Sequence, residues 1–409
     1  MPSTECPVAT CPYHRFDSTK SSTYDASVQA FSIEYGVGSA NGTYGSDTVT
    51  IGTAKVEKQK IALAKDTKNI LGIVSSGEQS NGILGLGFPG LNAARGSSDD
   101  IPLPFNLANK LADPVFSIFL NAHFSYGMSG EIMFGGIDTA KYTGTLSYVP
   151  VVSYDLNSYM VAPNVGANGK KAGEYLYWTV PGQGIKAGTY SKSLDSVQAL
   201  ILDTGTTLTM IPKVYVEGIL NAVAGSSKYS WDVINSVYRI DCRLASSNET
   251  IEFQISTATD SASTTPVTLS TPMNQLIVPL DTDYLDTAKS CMFGITQSGG
   301  SLTAGENWII GEASLRSMYS VYDMKNNRVG LAPVNLAGAG KSSPASSNDS
   351  QKTQDTTTTS SQQTNDKTDK KDDSSSPSTK TNEESMAASH FVNLAAGAVA
   401  SALASYWLL

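Results

Sequence analysis

The sequence is poor in residues that hold metals. Its three histidines, His14, His123 and His390, lie far apart, and its four cysteines form no Cys-x-x-Cys pair. The spacing that builds a zinc site is therefore missing, and neither a metal nor an organic cofactor is expected. Basic residues are also scarce, 28 Lys and Arg against 37 Asp and Glu, for a net charge of −9. A nucleic-acid-binding surface needs a basic stripe to meet phosphates, so no nucleic acid is expected as a partner. Four tryptophans that do not cluster offer no aromatic platform of the kind a glycan-binding β protein would present. The opening Met1-Pro2-Ser3-Thr4-Glu5-Cys6 contains no apolar stretch of the kind a secretion signal uses.

What is present reads as β structure. Alternating or β-branched runs at Phe31–Tyr35, Asp47–Ile51, Gly130–Phe134, Tyr177–Val180 and Ile251–Ile255 are punctuated by Gly and Asn turns. Helical patterns are few and short, at Asn106–Leu111 and at Lys213–Val223 after Pro212. An apolar share of 40% over 409 residues suffices for two domains or one large bilobal unit.

The composition breaks near Gly338. From Lys341 to Ser385 the chain is Ser, Thr, Gln, Asn, Asp and Lys with almost no apolar residue, which predicts a disordered, solvated stalk. Phe391–Leu409 is then apolar and small, interrupted only by Asn393, Ser401 and Ser405. A short apolar end behind a polar spacer fits a GPI-attachment signal, with Ser385 the first choice of attachment site and Ser374 the second. A tail-anchored helix is the alternative. Export agrees with an even number of cysteines: Cys6 and Cys11 are close enough to close a small loop, and Cys242 and Cys291 would close a larger one. Asn41, Asn248 and Asn348 are glycosylation sequons that gain meaning if the chain is exported. A GPI signal without a secretion signal leads to the expectation that sequence is missing at the front.

The chemistry centres on Asp203-Thr204-Gly205, reached through the apolar run Ala199-Leu200-Ile201-Leu202 and followed by Thr206-Thr207. A strand that ends on a carboxylate, with a small hydroxyl residue and a glycine beyond it, presents that carboxylate on a tight polar turn suited to act on water. Such chemistry usually takes a second Asp facing the first, because two carboxylates about 3 Å apart share one proton. No second Asp-Thr-Gly or Asp-Ser-Gly occurs in the chain. A weak internal repeat points to where a partner belongs: Gly82-Ile83-Leu84-Gly85-Leu86-Gly87 and Asn307-Trp308-Ile309-Ile310-Gly311-Glu312 both run an apolar pair into a glycine. If the halves match, the Asp203 strand has a counterpart upstream of Gly82, which would lie before Met1.

Taken in order, these motifs resemble the pepsin-family aspartic proteases, and among them the GPI-anchored fungal yapsin-like members, over about residues 2 to 334. Tyr35-Gly36-Val37-Gly38-Ser39 resembles the tip of the family's flap hairpin. Gly82–Gly87 and Gly130–Asp138 resemble first-lobe strands and the approach to the interlobe sheet. Ile201–Thr207 resembles the second catalytic loop, and Trp308–Pro333 the closing strands. Pro2-Ser3 with Cys6 and Cys11 resembles the segment and disulfide loop that follow the family's first catalytic Asp.

The resemblance implies a mainly β, bilobal pepsin-like fold whose first lobe is incomplete at its N-terminus. The divisions expected are an N-terminal lobe at 1–146, a C-terminal lobe at 147–335, a stalk at 336–385 and an anchor signal at 386–409. It further implies a monomeric endopeptidase of the cell surface or wall, tied to the membrane by a GPI lipid and cutting extended peptides at acid pH. Asp203 would be one half of a catalytic dyad. Tyr35 would close over substrate, and Gly36, Ser39, Gly205, Thr206 and Thr207 would contact it. Val37 departs from the hydroxyl residue often found at the flap tip, and Glu312 from the Asp common after the late glycine. The polypeptide as given is expected to be inactive for lack of the first Asp. A non-catalytic pepsin-fold surface protein is the alternative.

Overall fold

The computed structural model describes residues 1–35, 38–71, 81–91, 100–122, 130–153, 175–282, 284–298 and 307–336. Gly36, Asn348, Ser385, the stalk and the apolar end lie outside the described residues.

Nineteen strands and four short helices make up the regular structure of those residues. The first half contributes β1 (Asp25–Tyr35), β2 (Gly38–Ile51), β3 (Ala54–Lys68), α1 (Leu103–Ala108), β4 (Val115–Leu120), β5 (Gly130–Phe134) and β6 (Ser147–Pro150). Then come β7 (Thr179–Ala187), β8 (Tyr190–Leu202), β9 (Thr209–Pro212), α2 (Lys213–Val223), β10 (Tyr229–Asp232), β11 (Val237–Ile240), β12 (Thr250–Ile255) and β13 (Val267–Pro272). The chain closes with α3 (Met273–Leu276), β14 (Ile277–Pro279), β15 (Cys291–Phe293), β16 (Ile295–Ser298), β17 (Trp308–Ile310), α4 (Glu312–Leu315), β18 (Met318–Asp323) and β19 (Arg328–Pro333).

Four sheets result. β1-β2-β3 is an antiparallel meander, and β10-β11-β15-β14 a small sheet in the second half. The seven-stranded sheet runs β13-β12-β7-β8-β17-β9-β16, and the five-stranded one β5-β4-β18-β19-β6. The five-stranded sheet joins the halves, because β18 and β19 from the end of the chain pair with β4 and β6 from its first half. Burial follows from position. In β12 only Ile251, Phe253 and Ile255 point inward, the period of two expected of a strand with one face covered. In β18, at the centre of its sheet, all six residues are buried.

The sequence pattern placed β5 and α2 at the bounds observed. In α2, Val216, Ile219 and Leu220 form the inward stripe, at the three- and four-residue spacing of a helix face. The first helix begins three residues earlier than its pattern suggested, at Leu103, because Pro102 and Pro104 supply the backbone angle of a first turn. Both disulfides form, Cys6–Cys11 and Cys242–Cys291.

The larger correction concerns Gly82–Gly87, expected as a strand. It has no regular strand structure, and Ile83 and Leu84 stand 53% and 48% exposed. A strand exists only through a hydrogen-bonded neighbour, and among the described residues this segment has none in any ladder. Just beyond it, the chain is tied firmly to the second half. Leu86 O accepts the Trp178 indole N–H at 2.9 Å, and Phe88 packs on the same ring at 4.4 Å between centroids. Phe116 and Tyr322 complete this aromatic cluster, stacked on one another at 4.6 Å.

Candidate active site

β8 and β17 lie parallel, with Leu200, Ile201 and Leu202 opposite Trp308, Ile309 and Ile310. Asp203 extends this ladder by one bond, its amide donating to Ile310 O at 3.0 Å. Its side chain then leaves the sheet at a fixed point. Oδ1 accepts the Gly205 amide at 2.8 Å, Oδ2 accepts the Thr206 hydroxyl at 2.6 Å, and the Thr206 amide donates back to Asp203 O at 3.3 Å. Among the described residues, the carboxylate's hydrogen bonds are these two alone. An ionised carboxylate has about four acceptor positions, so half of them remain for a water or a substrate group.

The loop is locked from behind. Thr206 is only 2% exposed, and its carbonyl accepts the Glu312 amide at 2.7 Å, while Thr207 O accepts the Ala313 amide at 2.9 Å. Gly311 sits where this loop and β17 meet, and a Cβ there would lie 2.2 Å from Leu208 O, so no other residue fits. Thr209 Oγ1 accepts the Gly311 amide and donates to Ser314 Oγ. Glu312 pairs with Arg316 one turn later, and Arg316 also donates to Asn121 O. The glutamate in place of the expected Asp thus reaches a guanidinium that is itself buried. Beneath the loop, burial pushes the Tyr322 phenol up to about 12, helped by the Asp203 charge.

Asp203, Gly205 and Thr206 come together as the sequence indicated, with Thr207 directly following. Ser39 lies in β2, opposite Glu34 and Lys68, and Tyr35 ends β1 with its backbone opposite Gly38. These two bound the hairpin expected to act as a flap, and the side chain of Tyr35 lies outside what the structure describes. Asn41 and Asn248 are exposed, as a glycan would require. The Thr209–Ser314 hydroxyl pair and the Glu312–Arg316 pair were not anticipated. Thr209 could have been suspected from the run of hydroxyl residues after Gly205, and Arg316 from its four-residue spacing to Glu312, whereas Ser314 carries no local signal. Among the described residues no helix is long and apolar enough to cross a membrane, and no cluster of His, Cys, Asp and Glu could hold a metal.

Comparison with known proteins agrees with this geometry. The family profile described as Eukaryotic aspartyl protease matches residues 1–334. Gastricsin of Rattus norvegicus is 30% identical over 334 residues, 80% of this chain and 72% of its own length. Mucorpepsin of Rhizomucor pusillus is 27% identical over 331 residues, 78% of this chain and 68% of its own. The crystal structure of the aspartic proteinase from Irpex lacteus superposes with a TM-score of 0.59 at 27% identity, covering 79% of this chain and 86% of that one. With its one Asp-Thr-Gly loop running from β8 to β9 across the end of β17, the chain belongs to the eukaryotic aspartyl proteases and has their mainly β, pepsin-like fold.

Proposed function

We propose that the protein serves peptide-bond hydrolysis as an aspartic endopeptidase, with Asp203 as one carboxylate of a two-Asp site. The observation that carries this is the posture of Asp203, gripped by the Gly205 amide and the Thr206 hydroxyl at the end of a buried strand with acceptor positions left over. In the complete pair, one carboxylate removes a proton from water and the resulting hydroxide attacks the scissile carbonyl carbon. The protonated partner donates to the carbonyl oxygen. The C–N bond then breaks as the amine takes up a proton, so no covalent intermediate forms. The two apparent pKa values belong to the pair, and an acid working range follows. An extended peptide would lie across Gly205 and Thr207, with Tyr35, Gly36 and Ser39 of the β1–β2 hairpin covering it, whereas Thr206, expected to touch substrate, is 2% exposed and acts through its bond to Asp203.

The 409 residues hold one Asp-Thr-Gly and no Asp-Ser-Gly, and a lone carboxylate lacks the acid partner this chemistry uses, so this polypeptide by itself is expected to be inactive. The same single triplet favours a second reading, a non-catalytic surface protein of this fold. A yapsin-like placement at the cell surface, glycosylated at Asn41, Asn248 and Asn348 and lipid-anchored at Ser385, is supported by the polar stalk and the apolar end. The test is cleavage of an unfolded protein at acid pH by the chain alone and by its natural reading frame extended upstream. No cleavage by the chain alone and pepstatin-sensitive cleavage by the extended protein, lost in Asp203→Asn, is the expected result. An extended frame with no Asp-Thr-Gly or Asp-Ser-Gly ahead of Pro2 would select the non-catalytic reading.

A further inference from the structure

We propose that the loop at residues 256–266, which joins β12 to β13, is a carbohydrate-attachment site whose exposed Ser and Thr hydroxyls receive O-linked sugar. The inference rests on the export reading above and not on the hydrolytic one. Export is supported by the two disulfides, since such bonds form and persist in chains that pass through an oxidising compartment.

Composition alone marks two runs of the folded body. Seven of the ten residues at 256–265 are Ser or Thr, with Pro266 next, and five of the six residues at 18–23 are Ser or Thr. The structure sets the two apart. In the first run the hydroxyls are tied to carboxylates: Thr19 donates to Asp17 Oδ1 at 2.6 Å, and Ser21 and Thr23 both donate to Asp47 Oδ1, at 3.0 and 2.5 Å. In the second run the tied hydroxyls are the two that set the course of the loop. Ser256 donates to Ser261 O at 2.6 Å and accepts the Ala258 amide at 3.0 Å, while Ser263 accepts the Thr257 amide at 3.2 Å. The Gln183 side chain then grips Ser263 twice, accepting its amide at 2.9 Å and donating to its carbonyl at 3.0 Å. Thr257, Thr259, Ser261, Thr264 and Thr265 stand exposed around this frame, and among the described residues their hydroxyls have no hydrogen-bond partner.

Sugar transfer needs an acceptor of this kind. The hydroxyl oxygen attacks the anomeric carbon of a sugar carried on a phosphate, and the bond from that carbon to the phosphate oxygen breaks. The phosphate leaves with the electron pair, and the hydroxyl proton passes to a base of the transferring enzyme. An acceptor must therefore reach solvent with its lone pairs free, and the bulky, hydrophilic product must stay clear of the core. Ser- and Thr-rich segments with Pro are the composition of O-glycosylated stalks, and here that composition sits on a fixed loop of the folded body. Asp260 is the loop's one charged residue, which leaves little to hold an ionic ligand instead. β13 is an outer strand of the seven-stranded sheet, so a sugar on this loop stands beside a sheet edge, where its bulk discourages pairing with another chain.

The experiment sends the full chain into the secretory route of a eukaryotic host behind an added leader, and uses its natural reading frame extended upstream if the chain alone is not secreted. The secreted protein is stripped of N-linked glycans and digested, and its peptides are weighed before and after mild alkali, which releases sugars from Ser and Thr by elimination. Alkali-labile sugar masses are expected on the peptide spanning 256–266, at an occupancy at least fivefold that of the peptide spanning 18–23. The combined variant Thr257→Ala, Thr259→Ala, Ser261→Ala, Thr264→Ala and Thr265→Ala should lose them. Asp47→Ala, which frees Ser21 and Thr23, should raise the sugar on 18–23 at least threefold. A bare 256–266 peptide, equal occupancy of the two runs in the unaltered protein, or a phosphate mass in place of sugar overturns the proposal. Sugar on the loop in this host, with the natural protein retained inside its own cells, upholds the acceptor site and counts against the export reading, so the two fail separately.

Discussion

The Ile83–Gly85 and Ile309–Gly311 segments are near copies in sequence and opposites in structure. The second is a strand, buried on both faces and hydrogen-bonded to β8 and β9. The first is irregular and half exposed. An apolar pair before a glycine therefore specifies a strand only where a neighbour satisfies its backbone, and the glycine is indispensable only where that neighbour crowds it. Burying the exposed half of Ile83 and of Leu84 would contribute about 1 kcal/mol for each side chain. That is a sizeable share of a stability that is marginal in any domain.

Truncation separates the two segments most sharply. Ile310→Ala should cost about 2–5 kcal/mol, since Ile310 is fully buried in the core cluster, whereas Leu84→Ala should stay within about 0.5 kcal/mol. Denaturant melts of the two variants measure this, and equal losses would mean that Leu84 is packed after all. Next comes the glycine pair. Gly311→Ala places a methyl against Leu208 O and should cost about 1–3 kcal/mol, while Gly85→Ala meets open space and should be neutral within about 0.5 kcal/mol. Thermal melts of the two variants measure this.

The smallest effect is in acid. The Asn235 side chain, followed by the Arg239 guanidinium, holds the Asp232 carboxyl down to about 2 from its ordinary 3.8. In the first half the Thr23 hydroxyl, with Ser21 and the Thr48 amide, lowers Asp47 in the same direction. A depressed carboxyl stabilises the fold fully above its ordinary range and loses that contribution as pH falls through the folded value. The β10–β11 hairpin should thus keep its Asp232 contribution until pH falls from near 4 towards 2. Arg239→Gln should weaken it by about 1 kcal/mol or less, read as earlier acid loss of the hairpin's amide signals. An unchanged acid midpoint would show that Arg239 adds nothing to the Asn235 bond.

Much of this was legible in residue order. The bounds of β5 and α2, the burial period of β12, the Cys6–Cys11 pair and the Asp203 loop all depend on neighbours in sequence or on chemistry confined to a few residues. What escaped depends on contacts between distant segments. Ser314 in α4 and Arg316 at its C-terminal cap are ordinary residues until α4 is set against Thr209 and Asn121. Gly82–Gly87 misled because its strand-like pattern says nothing of whether a neighbour is there.

Residue order alone sets a mainly β chain with an Asp-Thr-Gly turn at the end of an apolar strand. Alternation, turn residues and a short carboxylate motif are local properties that survive without a fold. Which copy of the repeat is a strand, why Gly311 cannot change and that the first half holds an apolar cavity of about 750 Å³ were settled only by the tertiary structure. Hydrogen-bond pairing and close packing belong to segments that meet in space, and no single segment contains them.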